Sequence, residues 1–368
     1  MQLPTDIKTD PLVKIRIAGV GGAGGRAVNR MISAKLVGVE YIALDTDLHD
    51  LFQCKATRRI QIGEQVAKGQ TTMGNPDAGR QAISENLEDV EKAVQETDIL
   101  FIVCGAGGGT ASGAAPILAE IARDLDILTV GVVTRPLRSE EPQRTKIADR
   151  CIVDLKQPVD TLFVIPCDRL LNQKSGQKYF TKDYTIVDEA MSRTVRCISD
   201  LLNAPGLVNL DFDEVRDAIN RMGEGRVGFG TASGEGRGKK AAKEAVHQHL
   251  IDIHTIKNAS SLMINVTGGL DMTLDDMNDG ILVAYDAASA EANILFGGII
   301  DPSIRHKVTV TIVATGLGLV DDARKKPYHP LFVKLGSEER SSLDGDMGAD
   351  RSKHIHIPDF IQKKGTKD

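Results

Sequence analysis

Two glycine-rich loops constrain the fold of this chain more than any other feature of its sequence. Residues 19–25 and 105–113 are rich in glycine, and each loop follows an apolar run and precedes a helical pattern. This strand–loop–helix order is typical of a parallel sheet that is covered by helices. Glycine lets backbone N–H groups turn toward a ligand, and a helix N-terminus adds about half a positive charge. The loops therefore predict an anion site suited to phosphates, with the hydroxyls of Thr110 and Ser112 as further donors.

The remaining sequence divides into a larger and a smaller half. In the larger half, Asn75 and Pro76 predict a helix start, and a long helix is predicted over 179–203. Strands alternating with helices are predicted there at 13–20, 40–44, 59–62, 98–104, 127–133 and 161–165. The smaller half is predicted to be α+β, with strands at 227–232, 261–267, 293–298 and 307–315 and helices near 238–250 and 272–288.

Charge and cysteine content exclude several classes of protein. The net charge of -6 argues against nonspecific electrostatic binding of nucleic acid. The five cysteines have no CxxC or metal-ligand spacing, so we expect reduced thiols in a cytoplasmic protein. The N-terminus lacks the pattern of a signal peptide, and no apolar run approaches the roughly 20 residues of a membrane span. We therefore expect no nucleic-acid partner and no direct membrane insertion.

The first loop by itself fits a dinucleotide-binding protein. Gly19, Gly21 and Gly24 satisfy the pattern GxGxxG, and Asp45 ends the next predicted strand, roughly 20 residues on. A nicotinamide-dependent dehydrogenase is thus one alternative. A dinucleotide fold needs only one pyrophosphate loop, however, so the second glycine loop favours a mononucleotide whose phosphates are bound from both sides.

Together the two loops resemble those of the tubulin/FtsZ family, and the resemblance runs from about residue 13 to 317. The family signature GGGTGTG stands here as GGGTASG at 107–113, with Ala111 replacing a glycine and Ser112 a threonine. The resemblance implies a tubulin/FtsZ-like α/β fold with a Rossmann-like parallel-sheet GTP-binding domain, a long central helix and a smaller α+β domain. It also implies a GTPase that binds GTP or GDP, with Mg²⁺ bridging the phosphates.

The same resemblance implies roles for residues outside the loops. Glu140 and Arg144 match a ribose-contacting pair, Asp188 matches the acid that pairs with guanine, and Tyr184 matches the aromatic residue beside the base. Without the family, the first two are an intrahelical ion pair and Asp188 is a helix-surface acid. The expected nucleotide contacts are Gly21, Gly22, Gly24, Gly25, Arg26, Asp47, Thr71, Thr72, Met73, Gly74, Asn75, Gly105, Ala106, Gly107, Gly108, Gly109, Thr110, Ala111, Ser112, Gly113, Glu140, Arg144, Cys167, Tyr184 and Asp188. No set of protein metal ligands is expected.

Differences from the family fall within this site. Arg26 replaces an asparagine after the first loop, Cys167 replaces the asparagine that contacts guanine, and residues 71–74 replace a small Gly-Ala-Gly-Ala loop. Cysteine is a poor hydrogen-bonding residue, whereas a guanidinium suits phosphate oxygens. An alanine at 111 tolerates positive φ poorly, so we expect a slightly reshaped loop. These differences predict weakened or altered guanine-nucleotide binding.

Residues 209–215 resemble the family's synergy loop, which one subunit inserts into the GTP site of the next. Asn209 and Asp211 match, while Glu214 stands for an aspartate and Asp213 is an additional acid. The resemblance implies that Asn209, Asp211 and Glu214 are catalytic and orient water at the interface of a head-to-tail homopolymer. The local alternative is that the three acids cap a helix and complement its dipole.

The C-terminal residues 355–361 are similar to the family's conserved tail, DIPxFLR, which implies binding to membrane-tethering division proteins through 354–364. The expected segments are an N-terminal extension (1–12), the GTP-binding domain (13–178), the central helix (179–203), the synergy loop and following helix (204–226), the C-terminal α+β domain (227–317), a flexible linker (318–353) and a docking peptide (354–368). The implied function is cytoskeletal, in bacterial cell division at midcell near the inner membrane. An FtsZ-like scaffold or regulator with weak or no GTP turnover is the alternative.

Overall fold

One sheet of eleven strands runs through the part of the chain that the structure describes. The computed structural model describes residues 13–171, 180–204, 206–208, 210–220, 223–247, 250–251 and 253–317. The strands are β1 (Ile15–Val20), β2 (Val39–Asp45), β3 (Arg58–Gln61), β4 (Ile99–Gly105), β5 (Leu128–Arg135), β6 (Thr161–Pro166), β7 (Gly206–Val208), β8 (Gly223–Ser233), β9 (Ser261–Gly268), β10 (Asn293–Ile300) and β11 (Lys307–Leu317). The helices are α1 (Gly21–Ser33), α2 (Leu48–Gln53), α3 (Pro76–Ser84), α4 (Leu87–Val94), α5 (Gly109–Asp124), α6 (Pro142–Lys156), α7 (Cys167–Leu171), α8 (Phe180–Asn203), α9 (Phe212–Ile219), α10 (Arg237–Val246), α11 (Ile253–Asn258) and α12 (Leu274–Ala287).

The sheet is mostly parallel and joins both halves of the chain. Its strand order is β3-β2-β1-β4-β5-β6-β8-β11-β9-β10-β7. The strands from β3 to β8 in this order are parallel, whereas β11 is antiparallel to both of its neighbours. The predicted α/β class is confirmed, with one difference in organisation. Residues 161–163 of β6 pair with 223–225 of β8, so the smaller half continues the sheet of the larger one.

Alternating side chains of the central strands fill a hydrophobic core on each face of the sheet. Ile17 of β1 and Phe101 of β4 belong to the core that includes residues of α1 and α8. Ala18 of β1 and Ile102 of β4 belong to the core that includes residues of α5. Successive strand residues point to opposite faces, so a strand covered on both sides must be apolar throughout. This explains the unbroken apolar runs in the sequence.

The long helix α8 packs against strands from both halves. It contacts β5 and β6 of the larger half and β9, β10 and β11 of the smaller half. Its buried apolar residues recur every three or four positions, which is the period of one helix face. They include Val187, Met191, Val195, Ile198 and Leu201. The helix predicted over 179–203 is therefore present, and its apolar face holds the two halves together.

Several short elements were not predicted. Residues 206–208 were expected to be loop but pair with β10 as an antiparallel strand, and α2, α7 and α11 contain only five or six residues each. Elements this short span less than two helical turns, so they show no periodic signal in the sequence. Helix α1 begins at Gly21, so residues 21–25 of the expected first glycine loop are already helical. The predicted segments 1–12, 318–353 and 354–368 lie outside the described residues.

The junction between the two halves generates a stability prediction. Gly225 pairs with Phe163 across β6 and β8, and a Cβ at Gly225 would lie 2.4 Å from Cε1 of the buried Phe163 ring. We expect Gly225→Ala to lower the free energy of unfolding by about 1–3 kcal/mol, because overpacking strains the core. Urea denaturation followed by circular dichroism measures this change.

Gly25→Ala is the matched control. A Cβ at Gly25 would have Cys54 Sγ, at 3.9 Å, as its nearest neighbour outside the helix. Alanine also has the higher helix propensity, so we expect this variant to be as stable as the wild type or more stable. Equal losses of stability in the two variants would contradict a specific clash at the junction.

Candidate functional site

The main cavity of about 610 Å³ lies at the carboxyl ends of the parallel strands. Residues at or just beyond the ends of β1, β2, β4, β5 and β6 all contribute to its wall. The strand connections from β1 and β4 run in opposite directions along the sheet, and ligands of open α/β sheets bind at such a switch point. Its lining residues are Gly21, Gly22, Ala23, Arg26, Asp45, Asp50, Thr71, Thr72, Met73, Gly74, Gly105, Ala106, Gly108, Gly109, Thr110, Ala111, Thr134, Pro136, Glu140, Arg144, Cys167, Val187, Asp188 and Met191.

Two helices begin at this cavity without side-chain caps. Helix α1 starts at Gly21 and α5 starts at Gly109. Their N-cap residues, Val20 and Gly108, offer no side-chain acceptor, and neither first turn contains an acidic residue. The first N–H groups of a helix have no partner within the helix, and they carry its positive dipole end. Two such ends at one cavity make it suited to an anion with several negative charges.

The second glycine loop is shaped by its own serine. Ser112 Oγ accepts a hydrogen bond from the N–H of Gly107 at 2.9 Å, and Gly107 has φ +102°. The hydroxyl therefore holds the loop in place, and Ser112 does not line the main cavity, contrary to its expected role as a donor to the ligand. Ala111 lies within α5 and is not among the residues with positive φ. Ala111 therefore carries no positive-φ strain, and the expected reshaping of the loop relative to the family stays a prediction.

Three threonine hydroxyls connect separate loops beside the second glycine loop. Thr110 Oγ1 lies 2.9 Å from Thr46 Oγ1 and 3.2 Å from Thr72 Oγ1, and all three residues are buried. Thr110 is the second residue of α5, Thr46 follows β2, and Thr72 belongs to the segment before α3. Next to Thr72, the side chain of Met73 is 85% exposed and its φ is 49°. The hydrogen bond of the buried Thr72 therefore holds the segment before α3 in place, while the neighbouring Met73 side chain faces solvent.

The other end of the cavity carries an ion pair, a thiol and a carboxylate. Glu140 Oε2 lies 2.9 Å from Arg144 Nη1, and Glu140 Oε1 accepts the N–H of Leu137 at 3.0 Å. Burial, reinforced by the charge of Glu140, raises the pKa of the Cys167 thiol to about 12, so this group stays protonated. Burial also raises the pKa of Asp188.

Several expected contacts do not line the main cavity. They are Gly24, Gly25, Asp47, Asn75, Gly107, Ser112 and Gly113. Some of them have evident local roles: Asn75 caps α3 by accepting from the N–H groups of Asp77 and Ala78, as predicted, and Asp47 caps α2. Gly113 lies against α3, where its Cβ would come within 2.1 Å of the Pro76 carbonyl oxygen.

The expected nucleotide contacts lacked some of the lining residues. Asp45, which the sequence assigned only to the dinucleotide alternative, ends β2; Asp50 lies in α2 just after it, and Thr134 and Pro136 lie at the end of β5. Met191 lies one helical turn beyond Val187 on α8. The rule that ligands bind at the carboxyl ends of parallel strands could have identified the first four. Asn209 and the side chain of Tyr184 lie outside the described residues.

Asp211 and Glu214 are not brought to the cavity within one chain. Asp188 and Asn203 are separated by about 22 Å along α8, at 1.5 Å per residue, and α9 follows beyond the far end. Asp211 is the N-cap of α9, and the carboxylate of Glu214 accepts the Asp211 N–H at 3.3 Å in a capping box. The local capping role expected for these acids is therefore present.

Neither a metal-binding cluster nor a membrane-spanning helix occurs among the described residues. Among the described residues, no group of three or more His, Cys, Asp or Glu side chains is arranged to hold a metal ion. The helices within the same residues include none with the length and apolar character needed to cross a bilayer.

Comparison with protein families matches most of the chain. Residues 14–175 match the Tubulin/FtsZ family, GTPase domain, and residues 223–318 match the FtsZ family, C-terminal domain. The cell division protein FtsZ of Magnetospirillum gryphiswaldense is 41% identical over 88% of this chain and 57% of its own length. The FtsZ of Rickettsia conorii is 38% identical over 91% of this chain and 73% of its own length. The chain spans 57% and 62% of the first two relatives it matches.

Solved structures show the same fold. An FtsZ mutant from M. jannaschii is 34% identical with a TM-score of 0.80, covering 83% of this chain and 91% of that one. The empty FtsZ dimer from M. jannaschii is 32% identical with a TM-score of 0.81, covering 88% and 95%. CetZ2 from Haloferax volcanii, 19% identical with a TM-score of 0.70 over 90% of this chain and 99% of that one, shares the fold. None of these matches points to a dehydrogenase, so the dinucleotide alternative is set aside.

Asp45 generates a prediction about pH. Its carboxylate is 6% exposed and accepts the N–H of Thr46 at 2.8 Å and that of Asp47 at 3.3 Å. Burial raises its pKa from 3.8 to about 6, although the two hydrogen bonds act to lower it. The negative charges of Asp50 and Asp47 also act to raise this pKa. Between pH 3.8 and about pH 6, the folded state therefore binds more protons than the unfolded state. As the pH rises through this range, ionisation of Asp45 lowers the free energy of unfolding.

We expect Asp45→Asn to be more stable than the wild type at pH 7 by about 1–3 kcal/mol, because the amide keeps an acceptor and removes the buried charge. The advantage should disappear below about pH 3, where the wild-type carboxyl is protonated in both states. Denaturation in urea at a series of pH values measures both. Burial also raises the pKa of Asp200 to about 6. Both proteins contain Asp200, so its contribution to the pH dependence cancels in the comparison. A stability difference that is the same at every pH would contradict this account.

Proposed function

Because this chain belongs to the Tubulin/FtsZ family, we propose that it binds GTP in the main cavity and hydrolyses it to GDP and phosphate. The observation that best supports this is the pair of uncapped helix N-termini, α1 and α5, at one cavity. Their N–H groups suit the charges of a triphosphate. A cavity of about 610 Å³ is also within the range of small-molecule sites.

The phosphates would lie on the backbone N–H groups of the two helix starts. Gly21 and Gly22 of α1 supply one side, and Gly108, Gly109 and Thr110 of the second loop supply the other. With no Cβ on the glycines, phosphate oxygens can approach the backbone closely. The protein thereby stabilises negative charge that develops on the transferred phosphoryl group.

The opposite end of the cavity would bind the nucleoside. Asp188 would accept hydrogen bonds from guanine N1–H and N2–H₂, and the Glu140–Arg144 pair would contact the ribose. Adenine presents an acceptor at N1 and would leave the Asp188 carboxylate without a donor. The cost of such an unpaired buried group underlies the proposed preference for guanine.

Mg²⁺ fits the phosphate end of the cavity. Oxygen atoms are the ligands that Mg²⁺ prefers, and the hydroxyls of Thr46, Thr72 and Thr110 and the carboxylate of Asp45 lie there. Mg²⁺ usually keeps several waters and binds substrate phosphates, so a cage of protein carboxylates is not required. When bound, it would neutralise charge on the phosphate oxygens.

We infer further that hydrolysis requires a second copy of the chain. Asp211 and Glu214 lie beyond the far end of α8 from Asp188, so a single chain does not bring them to its own cavity. A head-to-tail neighbour could supply them, together with Asn209, to orient the attacking water. The solved relative titled as an FtsZ dimer supports self-association of this kind. Repetition of such a heterologous contact gives a filament.

A scaffold with slow GTP turnover is the second candidate. The capping box of α9 supports it, because Asp211 and Glu214 already have local partners. The neutral thiol of Cys167 also offers little to the base. Such a protein would bind nucleotide and assemble, while water at the interface is only weakly oriented.

In the cell, we propose a role in bacterial cell division at midcell, near the inner membrane, since the matched relatives are named cell division proteins. The tail at 354–364 would bind membrane-tethering division proteins. Both parts of this proposal concern properties of the whole protein, and the tail lies outside the described residues.

Asp211→Asn tests the shared site. The amide keeps the oxygen that caps α9, but it removes the carboxylate that would polarise water. We expect GTP turnover to fall by about a hundredfold or more, as on loss of a catalytic group, with GDP affinity unchanged. Phosphate release and equilibrium binding measure the two effects. In the wild type, turnover per molecule should rise steeply with protein concentration.

Asp213→Asn is the control, since Asp213 is an exposed acid in the first turn of the same helix. We expect it to retain wild-type turnover. Turnover that is independent of protein concentration would reject a shared site. Filaments that form without turnover would favour the scaffold instead.

A further inference from the structure

Arg26 lies beside Asp188 at the wall of the main cavity. Both residues line this cavity, and the Arg26 side chain is exposed instead of held in a core. Helices α1 and α8 are adjacent, because Arg30 Nη2 lies 3.7 Å from Glu189 Oε2. Arg26 precedes Arg30 by one helical turn, and Asp188 immediately precedes Glu189. This register places Arg26 and Asp188 next to each other on the facing sides of α1 and α8, at the wall of the main cavity.

The charges of the two groups interact. Burial raises the pKa of Asp188, and the positive charge of Arg26 is the larger of the two charges that oppose this shift; that of Arg30 is the other. Arg26 thus favours the ionised form of Asp188. In that form the carboxylate only accepts hydrogen bonds, whereas a guanidinium only donates them.

Guanine needs both kinds of partner at this end of the cavity. Its N1–H and N2–H₂ groups are donors, which suit Asp188, and its O6 atom beside N1 is an acceptor. Cys167 supplies only a weak S–H donor there. Arg144, which also lines the cavity, is engaged with Glu140 at 2.9 Å. Among the residues that line the cavity, Arg26 is the strong donor placed beside Asp188, both by the register of α1 and α8 and by the effect of its charge on that carboxylate.

We infer that Arg26 is a specificity-determining residue, which donates a hydrogen bond to O6 of guanine next to the contact made by Asp188. The inference rests on the proposed function, since it requires a guanine nucleotide in the main cavity. In protein–DNA recognition, arginine donating to O6 and N7 of guanine is the commonest specific base contact, so a guanidinium suits this acceptor. Adenine carries an amino group at the same position, so two donors would face each other and the wrong base would be rejected.

Binding of three ligands to Arg26→Met tests the inference. The ligands are GDP, guanosine and 6-thioguanosine 5′-diphosphate, in which a sulfur, a weak acceptor, replaces O6 while N1–H and N2–H₂ remain. We expect Arg26→Met to weaken GDP and guanosine by the same factor, about tenfold to a hundredfold for a charged hydrogen bond. Binding of the analogue without O6 should change by a much smaller factor. Calorimetry or competition with a fluorescent nucleotide measures all three.

Arg30→Met is the matched control, because it removes an equal charge from the next turn of α1 at a residue that does not line the cavity. It should keep the wild-type preference for GDP over the analogue. Arg26→Lys keeps the charge and a single donor, so it should retain part of the preference. Equal melting temperatures without nucleotide establish that the variants fold alike.

The outcomes separate this inference from the proposed function. A wild type that binds no GDP would reject the proposed function. A wild type that binds GDP, with Arg26→Met binding it equally well, would overturn the inference alone. Loss of GDP and analogue affinity by one factor, with guanosine unaffected, would assign Arg26 to the phosphates and also overturn it. If Arg30→Met loses as much of the preference for GDP over the analogue as Arg26→Met does, the preference comes from the positive charge of α1 and the inference is overturned.

Discussion

Backbone contacts that only glycine permits are the constraint on which the main cavity depends. A Cβ at Gly24 would lie 2.5 Å from the carbonyl oxygen of Val103, and one at Gly79 would lie 2.3 Å from that of Gly109. Helix α1 therefore rests directly on β4, and α3 rests directly on the first turn of α5. Any side chain at these positions would push the helices outward. The N–H groups at the two helix starts would then no longer converge on one ligand.

Helix α8 adds a second constraint, which is one of length. Its first half supplies Val187, Asp188 and Met191 to the cavity, and α9 begins beyond its other end. Its buried face is fixed by strands of both halves, so the helix cannot shorten the separation by bending or sliding without loss of core packing. The division of the proposed GTPase site between two molecules thus follows from the rigidity of one packed helix.

Sequence patterns predicted the parts of the structure that have local causes. Apolar runs predicted the parallel strands, Asn75 and Pro76 predicted the start of α3, and glycine marked both loops. The direction of Ser112 could not be predicted, because its partner is the N–H of Gly107 in a turn whose shape is set by the fold. Asp45 is a single polar residue at the end of a strand, which carries no periodic signal. Its contribution to the site follows from the order of strands in the sheet.

The capping box of α9 has a consequence for recognition between molecules. Asp211 and Glu214 bond to each other's backbone, so their carboxylates are held in position by the first turn of their own helix. Side chains that are already ordered lose little conformational entropy when another surface covers them. A molecule that docks on this end of the chain therefore meets preformed acids, and its association has the character of rigid-body docking instead of folding coupled to binding.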